Sequence, residues 1–207
     1  MIKTYGKLLK EFGDPKNYWP QWCAKEKGIT EREKIIIGMI LVQRTSWHNA
    51  NIALKNLRAN DLLSTAKIAK FRSPKKLIPY IRSAGFYQSK PQRIFDVCRL
   101  VVQSGGIKSL MKKPDAKVRE ELLLIKGVGQ ETADTILLYP LDKPIFIIDE
   151  YTRRWTERMD LTKEKRYEKL QSFFHENLKR DLKIYRNFHA LIIISQRGRE
   201  KSKMEYV

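Results

Sequence analysis

The amino-acid sequence predicts an all-α protein. Three observations support this fold class: strand-like alternation is scarce, apolar residues recur at helical spacing along most of the chain, and glycines and prolines divide it into short segments. With 207 residues, of which 42% are hydrophobic, the chain has enough apolar material for a packed core, which excludes wholesale disorder. No run of about 18 apolar residues occurs, which excludes a transmembrane helix.

The strongest helix signal is the apolar stretch 31–43, for which Thr30 is a candidate N-cap and Glu33 lies near the first turn. Further along, Pro91 begins a helix that Gly105 and Gly106 end. The short apolar run 145–148 is compatible with either a strand or a buried loop. The other helices are predicted at 48–59, 62–71, 74–81, 115–125, 130–139, 150–158, 164–178 and 181–197.

The charge balance indicates a polyanionic partner. Lysine plus arginine number 42 against 23 for aspartate plus glutamate, which gives a formal net charge of +19. Nucleic acid is favoured over an anionic membrane surface, because no basic amphipathic helix stands apart from the core pattern. The N-terminal segment lacks a signal-peptide core and the chain has only two cysteines, which predicts a cytoplasmic or nuclear protein in a reducing compartment.

The most informative stretch is 122–139, in which two apolar helical faces flank Gly127, Val128 and Gly129. The glycines allow a tight hairpin, and Val128 can fill the space between the two helices, which Thr132 helps to hold close together. Because the second helix begins at once, its unpaired backbone N–H groups point outward and can bind a phosphate oxygen. Such a contact to the DNA backbone carries no information about base sequence.

Asp149 follows the apolar run 145–148 and stands at the start of a predicted helix. From the residues alone, two interpretations remain open. Aspartate is a favoured N-cap, and Arg153 is placed four residues on as a helical partner. A carboxylate held by a rigid apolar approach is also a candidate for catalysis, and an acid at a helix N-terminus stays ionised.

The sequence resembles the helix-hairpin-helix superfamily of DNA glycosylases, in its endonuclease III-like branch. The resemblance is carried by the hairpin LIKGVGQETAD at 124–134 together with Asp149. It extends to VQRT at 42–45, to SAGFYQSKPQRI at 83–94 and to NFHALIIISQRGR at 187–199. Almost the whole chain is covered.

Within that superfamily, the chain looks most like the bacterial 3-methyladenine DNA glycosylases of the MagIII subgroup. This closer similarity lies in YWP at 18–20, GFYQSK at 85–90 and the hairpin with its following helix at 127–139. The resemblance implies two helical subdomains with a DNA-binding cleft between them. Residues 30–135 would form a helical barrel that ends in the hairpin, and residues 1–29 with 136–207 would form the second subdomain.

The resemblance also implies roles for individual side chains. Asp149 would be the catalytic carboxylate, which stabilises the positive sugar as the N-glycosidic bond of a flipped-out nucleotide breaks. Gln43 would fill the gap left by that nucleotide. The further expected DNA contacts are Arg44, Lys126, Gly127, Val128, Gly129 and Thr132. Electron-rich rings attract a cationic 3-methylated purine, and the candidates are Tyr18, Trp19, Trp22 and Trp47.

The same rings have a simpler interpretation, in which the aromatic residues beside Pro20 anchor the terminal segment in the core. Likewise, His189 follows Phe188 on an apolar helix, where a hydrogen-bonded core histidine is favoured over a catalytic one.

Two departures from the endonuclease III pattern bear on the chemistry. Many of these relatives bind a [4Fe–4S] cluster through four C-terminal cysteines, whereas this chain has no cysteine after Cys98, so no iron–sulfur cluster and no other cofactor or metal are expected. Bifunctional relatives carry a lysine immediately before the threonine of the second hairpin helix, and here that residue is Glu131. Because a carboxylate cannot form a Schiff base, the resemblance implies a monofunctional glycosylase.

The predicted function is therefore excision of an alkylated purine from double-stranded DNA by a monomeric enzyme. Three alternatives remain open. The substrate could be a mismatched, deaminated or oxidised base. The enzyme could also cleave the strand as an AP lyase, using a lysine elsewhere in the chain. Finally, the chain could be a noncatalytic DNA-binding module, in which Asp149 only caps a helix.

Overall fold

A computed structural model of the protein describes residues 1–203. Within this range the chain is all α-helical and contains no strand, which confirms the predicted fold class. The helices are α1 Ile2–Phe12, α2 Ile29–Leu41, α3 Trp47–Ala59, α4 Thr65–Ala69, α5 Ile78–Ile81, α6 Lys90–Gln103, α7 Ile107–Lys112, α8 Asp115–Leu123, α9 Gln130–Leu138, α10 Glu150–Arg158, α11 Tyr167–Asn177, α12 Leu182–Arg197 and α13 Arg199–Ser202. None of these helices is long and apolar enough to span a bilayer.

Helix α2 lies at the centre of the first group of helices and is buried from Arg32 to its end. It packs against α3, α6 and α9, and α8 packs in turn on α9. The predicted cap of α2 is wrong, because the N-cap is Gly28 and it makes no side-chain capping bond. Glu33 serves a different helix: its carboxylate accepts hydrogen bonds from the amide and hydroxyl of Thr65, at 2.8 and 2.7 Å, at the start of α4. The contact between Glu33 and Thr65 of another helix thus takes the place of the predicted contact within the first turn of α2.

Helix α12 is the centre of the second group, in which it packs against α1, α10 and α13. Its middle portion is buried, and it also contacts α9, the second helix of the glycine hairpin. The hairpin is therefore joined directly to the core of the C-terminal helices. The subdomain boundaries derived from the sequence stay a prediction.

The apolar run 145–148 forms a buried loop, which settles the alternative that the sequence leaves open. Its backbone is held by side chains rather than by a sheet: the Phe146 amide donates to His175 Nε2 at 3.0 Å, and the Ile148 amide donates to the Tyr167 hydroxyl at 3.4 Å. Satisfying these buried amides fixes the path of the chain immediately before Asp149.

Candidate active site

The glycine hairpin joins α8 to α9 and presents backbone to solvent. Gly127 has a φ of +88°, a region that L side chains rarely adopt, and a Cβ at this position would collide with the Arg93 guanidinium. Val128 is buried between the helices, as predicted, whereas Gly129 is exposed and caps α9. The first bond into α9 runs from the Ala133 amide to the Gly129 carbonyl, so the amides of the first turn are left for a phosphate oxygen.

Gln43 is bound to this hairpin by its side chain. Its Nε2 donates to the Gly127 carbonyl and to the Thr132 hydroxyl, both at 3.1 Å. Its Oε1 accepts a hydrogen bond from Arg93 Nη1 at 2.9 Å. The structure thus brings together Gln43, Gly127 and Thr132, and it adds Arg93, which the hairpin sequence alone does not indicate.

Arg44 and Lys126 are both exposed, as a phosphate contact requires. The Arg44 guanidinium lies 5.1 Å from the centre of the Phe86 ring, and both residues have a positive φ. Phe86 is 51% exposed, an unusual state for a large aromatic side chain. The sequence indicates Phe86 only as part of the segment 83–94, because nothing in the local pattern predicts that its ring is exposed. Phe86 and Arg44 therefore belong to one exposed surface, which also includes Lys126 and the glycine hairpin and which we call the hairpin surface.

The buried Lys90 holds the two loops of the hairpin surface that carry Arg44 and Phe86. Its Nζ donates to the Leu41 carbonyl at 2.7 Å and to the Ala84 carbonyl at 2.6 Å, so its charge faces the ends of two helical segments. Burial lowers the pKa of Lys90 to about 8. The side chain therefore fixes the loops that carry Arg44 and Phe86, and it does not reach solvent.

A cavity of about 360 Å³ opens where the two groups of helices meet. Its wall combines aromatic, apolar and ionisable side chains from segments far apart in the sequence. The residues that line it are Trp19, Trp22, Met39, Val42, Thr45, Ser46, Trp47, Glu131, Thr135, Ile147, Asp149, Tyr151, His189, Ile193 and Arg197.

Three of the four predicted pocket aromatics line this cavity: Trp19, Trp22 and Trp47. The rings of Trp22 and Trp47 meet edge to face with their centres 5.2 Å apart. Tyr18 is the exception. It is buried outside the lining, and its hydroxyl donates to the Phe12 carbonyl at 3.0 Å, so it anchors the N-terminal segment instead.

Asp149 caps a helix and lines the cavity at the same time. It is the N-cap of α10, since its Oδ1 accepts a hydrogen bond from the Thr152 amide at 2.7 Å. The carboxylate nevertheless lines the cavity, and its side chain remains 12% exposed. The alternative partner Arg153 points elsewhere, to the Lys165 carbonyl. One oxygen is thus used structurally, and the carboxylate stays open to the cavity.

His189 lies directly behind this carboxylate. Its Nε2 is 3.4 Å from Asp149 Oδ2, and its Nδ1 is hydrogen-bonded to the buried Tyr139 hydroxyl at 2.8 Å. When Tyr139 donates to Nδ1, the Nε2 proton faces Asp149. The sequence favours a hydrogen-bonded core histidine, and His189 is buried and hydrogen-bonded to Tyr139. Its contact with Asp149 is not predicted by the sequence, because it arises from the packing of α12 against α10.

The surroundings of Asp149 keep it ionised. Burial by itself raises the pKa of this carboxyl group, but the His189 ring and the Thr152 amide together outweigh burial, and the pKa lies below its ordinary value. An anion is therefore present at the cavity wall at neutral pH.

Neither cysteine suits an iron–sulfur cluster. Cys23 and Cys98 are free, buried thiols in the hydrophobic core. Burial raises the pKa of Cys23 to about 12 and also raises the pKa of Cys98, which disfavours the thiolate that binds metal. Residues 1–203 contain no cluster of three or more histidine, cysteine, aspartate or glutamate side chains placed to hold a metal ion.

A helical fold with a phosphate-binding hairpin and an ionised carboxylate at an aromatic cavity is suited to removing a flipped-out base from DNA. Comparison with known families gives the same class. Residues 37–180 match the family described as the HhH-GPD superfamily base excision DNA repair protein, and the chain belongs to this family. The protein is a DNA N-glycosylase and binds DNA. This membership excludes the alternative that the chain is a noncatalytic DNA-binding module.

Two relatives illustrate the similarity in sequence. A protein of Methanocaldococcus jannaschii named as a candidate DNA repair glycosylase is 40% identical over 197 residues, which cover 93% of this chain and 86% of that protein. Endonuclease III of Thermotoga maritima is 30% identical over 157 residues, which cover 74% of this chain and 68% of the relative.

Two solved structures share the fold. The H. pylori 3-methyladenine DNA glycosylase MagIII, bound to 1,N6-ethenoadenine, has a TM-score of 0.74 and 24% identity, with 95% of each chain covered. Endonuclease III in a non-covalent DNA complex has a TM-score of 0.69 and 18% identity, covering 93% of this chain and 82% of the other. Both support the architecture that the sequence predicts.

Proposed function

We propose that this DNA glycosylase is monofunctional and removes an alkylated purine, such as 3-methyladenine, from double-stranded DNA, which leaves an abasic site. One observation carries the proposal: the cavity places the Asp149 carboxylate in the same wall as Trp19, Trp22 and Trp47, and the described residues that line it include no lysine. The H. pylori enzyme of similar fold is named for 3-methyladenine, which agrees with this substrate class.

The hairpin and its surroundings would hold the DNA strand. Its outward amides and the exposed Lys126 and Arg44 are suited to phosphate oxygens, which fix the register without reading bases. A base within the duplex is out of reach of a cavity, so the damaged nucleotide must rotate out of the stack. Gln43 and the exposed Phe86 would then lie beside the gap that the nucleotide leaves.

The aromatic wall suits a cationic base. A 3-methylated purine carries a positive charge, and rings such as those of Trp22 and Trp47 attract a cation through their electron-rich faces. This attraction contributes about 2 kcal/mol or more when water is excluded. Ordinary purines are neutral and gain less from the same rings, which favours the damaged base.

Asp149 would supply the chemistry at the sugar. As the N-glycosidic bond breaks, its electron pair leaves with the base and positive charge develops on the deoxyribose. An ionised carboxylate at the cavity wall stabilises that charge and can accept the proton of the attacking water. With no lysine in the lining, attack by an amine and the strand cleavage that follows it are not expected.

We further propose that the reaction uses no metal or cluster and that the enzyme acts as a monomer where chromosomal DNA resides, in the cytoplasm or the nucleus. Since the chain has only two cysteines, it cannot supply the four thiolates of a [4Fe–4S] cluster. The protein purified without added iron should be active and should lack visible absorption from a cluster. Loss of activity on treatment with a chelator would contradict this proposal.

The decisive experiment compares base release and strand cleavage on a panel of damaged DNA. Methylated duplex DNA should release 3-methyladenine, and the abasic product should stay uncut until alkali is added. Borohydride should trap no covalent protein–DNA adduct. A trapped adduct would show lyase chemistry, and release confined to mismatched, deaminated or oxidised bases would replace the proposed substrate class.

A further inference from the structure

The cavity contains a second carboxylate, that of Glu131, whose surroundings differ from those of Asp149. Glu131 is the second residue of α9 and lies just beyond the hairpin. Within the described residues, its side chain has no hydrogen bond or ion pair, whereas Asp149 is held by the Thr152 amide and faces His189. The two acids therefore share one cavity but have different partners.

The position of Glu131 is fixed by its own helix. Thr135, one turn further along α9, lines the same cavity and donates its hydroxyl proton to the Glu131 carbonyl at 2.7 Å. Thr132, the next residue, accepts the hydrogen bond from Gln43. Glu131 lines the cavity and is exposed to solvent, so its carboxyl group is accessible to a molecule that enters the cavity.

The surroundings of Glu131 act on its pKa in both directions, and the net result is a raised pKa. Partial desolvation at the cavity wall is the largest cause that raises the pKa of Glu131 above its ordinary value of 4.5, and the negative charges of Asp149 and Glu150 raise it further. His189 and Arg153 oppose it but do not cancel it. Arg197 also lines the cavity. Two acids whose pKa values are pushed apart commonly divide into a proton donor and an anionic stabiliser.

We propose that Glu131 is the general acid of this enzyme and protonates the departing base, which extends the substrate range to neutral damaged purines. This inference rests on the proposed function, because it assigns the protonation of the leaving base in the same base-release reaction. A cationic purine leaves without help, so a positioned proton donor is needed only when the base is neutral.

The proton balance of the step is complete. Glu131 transfers its carboxyl proton to a ring nitrogen of the purine as the bond between C1′ and N9 breaks, and the bonding electrons stay with the base. Asp149 stabilises the positive sugar while water adds to C1′. The proton released by that water is taken up by Asp149 and passes to solvent, and Glu131 regains a proton from solvent. The sum is hydrolysis, with no oxidant or cofactor required.

The test compares one variant on two kinds of substrate. Methylated duplex DNA supplies the cationic base, and duplexes that contain hypoxanthine or 1,N6-ethenoadenine supply neutral ones. We expect Glu131→Gln to lower the ratio of neutral-base to cationic-base release by about 10²-fold, the usual contribution of a general acid. Glu131→Asp, which keeps a titratable carboxyl, should recover part of that ratio. Helical content and DNA affinity confirm that each variant is folded.

A pH series gives an independent readout. In the wild-type enzyme, neutral-base release should decline as the pH rises through the raised pKa of Glu131, because the acid form is lost. The decline should disappear in Glu131→Gln. An unchanged ratio, a larger loss on the cationic base, or a wild-type enzyme that releases neither neutral purine would each overturn the role of Glu131. Failure to release any methylated base would instead contradict the proposed function itself.

Discussion

The glycine hairpin leads into α9 and the aromatic cavity is lined in part by α9, yet the two are built in different ways. The hairpin consists of consecutive residues, and what it offers to DNA is exposed backbone. The cavity is assembled from segments as distant as Trp19 and His189, and what it offers is side chains. The DNA-binding hairpin is thus encoded by consecutive residues, whereas the cavity depends on the whole fold. Single substitutions should therefore change DNA binding and base release separately.

The largest expected effect is on catalysis alone. Asp149→Asn removes the negative charge at the cavity wall but keeps the shape of the side chain and an oxygen that can still cap α10. We expect base release from methylated DNA to fall about 10³-fold, the scale of losing one preorganised electrostatic contact. Single-turnover release measures it. Affinity for the same duplex should stay within about twofold, and a parallel loss of affinity would mean that the two regions are not separable.

The next effect is on stability. Asp134, on the buried side of α9, is another carboxylate, but its oxygens are fully used by Arg119, Tyr167 and Gln171 at 2.6 to 3.2 Å. Asp134→Asn leaves that cluster without its charge, so we expect the free energy of unfolding to fall by about 3 kcal/mol in urea titrations. Base release per folded molecule should persist. The contrast with Asp149→Asn would distinguish a structural acid from a catalytic one.

A smaller effect should be confined to binding. Gly127→Ala places a side chain where φ is +88° and where Arg93 occupies the space, so the hairpin must distort. A left-handed residue of this kind costs about 1–2 kcal/mol, which corresponds to roughly tenfold weaker DNA binding if the distortion falls on the phosphate contact. Titration of a labelled duplex measures it.

Gly6 provides the matched control for that substitution. It lies within α1 and a Cβ there meets no atom within 4 Å. Gly6→Ala should leave DNA affinity unchanged and stabilise the protein by about 0.5–1 kcal/mol. Equal effects of the two alanines on binding would contradict the role given to the hairpin.

The smallest predicted effect comes from a single phosphate contact. Lys126→Ala should weaken binding to all duplexes alike and should reduce the slope of log affinity against log salt by about 1. Lys3→Ala, which removes an exposed lysine of α1, serves as its control. If the two variants show the same salt slope, Lys126 makes no phosphate contact.

Local sequence was sufficient for the parts of the molecule that depend on local physics. The bounds of α10 at Glu150–Arg158, and those of α12 to within one residue, follow from periodicity and caps. Gly127 and Val128 have the conformation and burial that a hairpin requires. In contrast, the predicted cap of α2 is wrong: Gly28 caps the helix in place of Thr30, and the Glu33 carboxylate binds Thr65 of α4.

The side chains that line the cavity cannot be predicted from local sequence. Trp19, Trp22 and Trp47 line the same cavity as Asp149, and their role in binding a base stays a prediction, whereas Tyr18, in the same short motif, faces the core. No periodicity indicates that one of two neighbouring rings lines a cavity. The contact between His189 and Asp149 depends on how α12 lies beside α10, and the exposure of Phe86 depends on a positive φ that its sequence does not require.

The three hydrogen bonds of Gln43 bear on its proposed insertion into the base stack. Without a duplex its amide is stowed against the hairpin, so any entry into the base stack first exchanges those bonds, each with a net value of about 1 kcal/mol. An intact stack offers little in return, whereas an orphaned partner base offers donors and acceptors. If Gln43 inserts as proposed, it would therefore enter the stack only where the duplex is already disrupted, and removing the Arg93 hydrogen bond would lower the free energy needed to release its side chain.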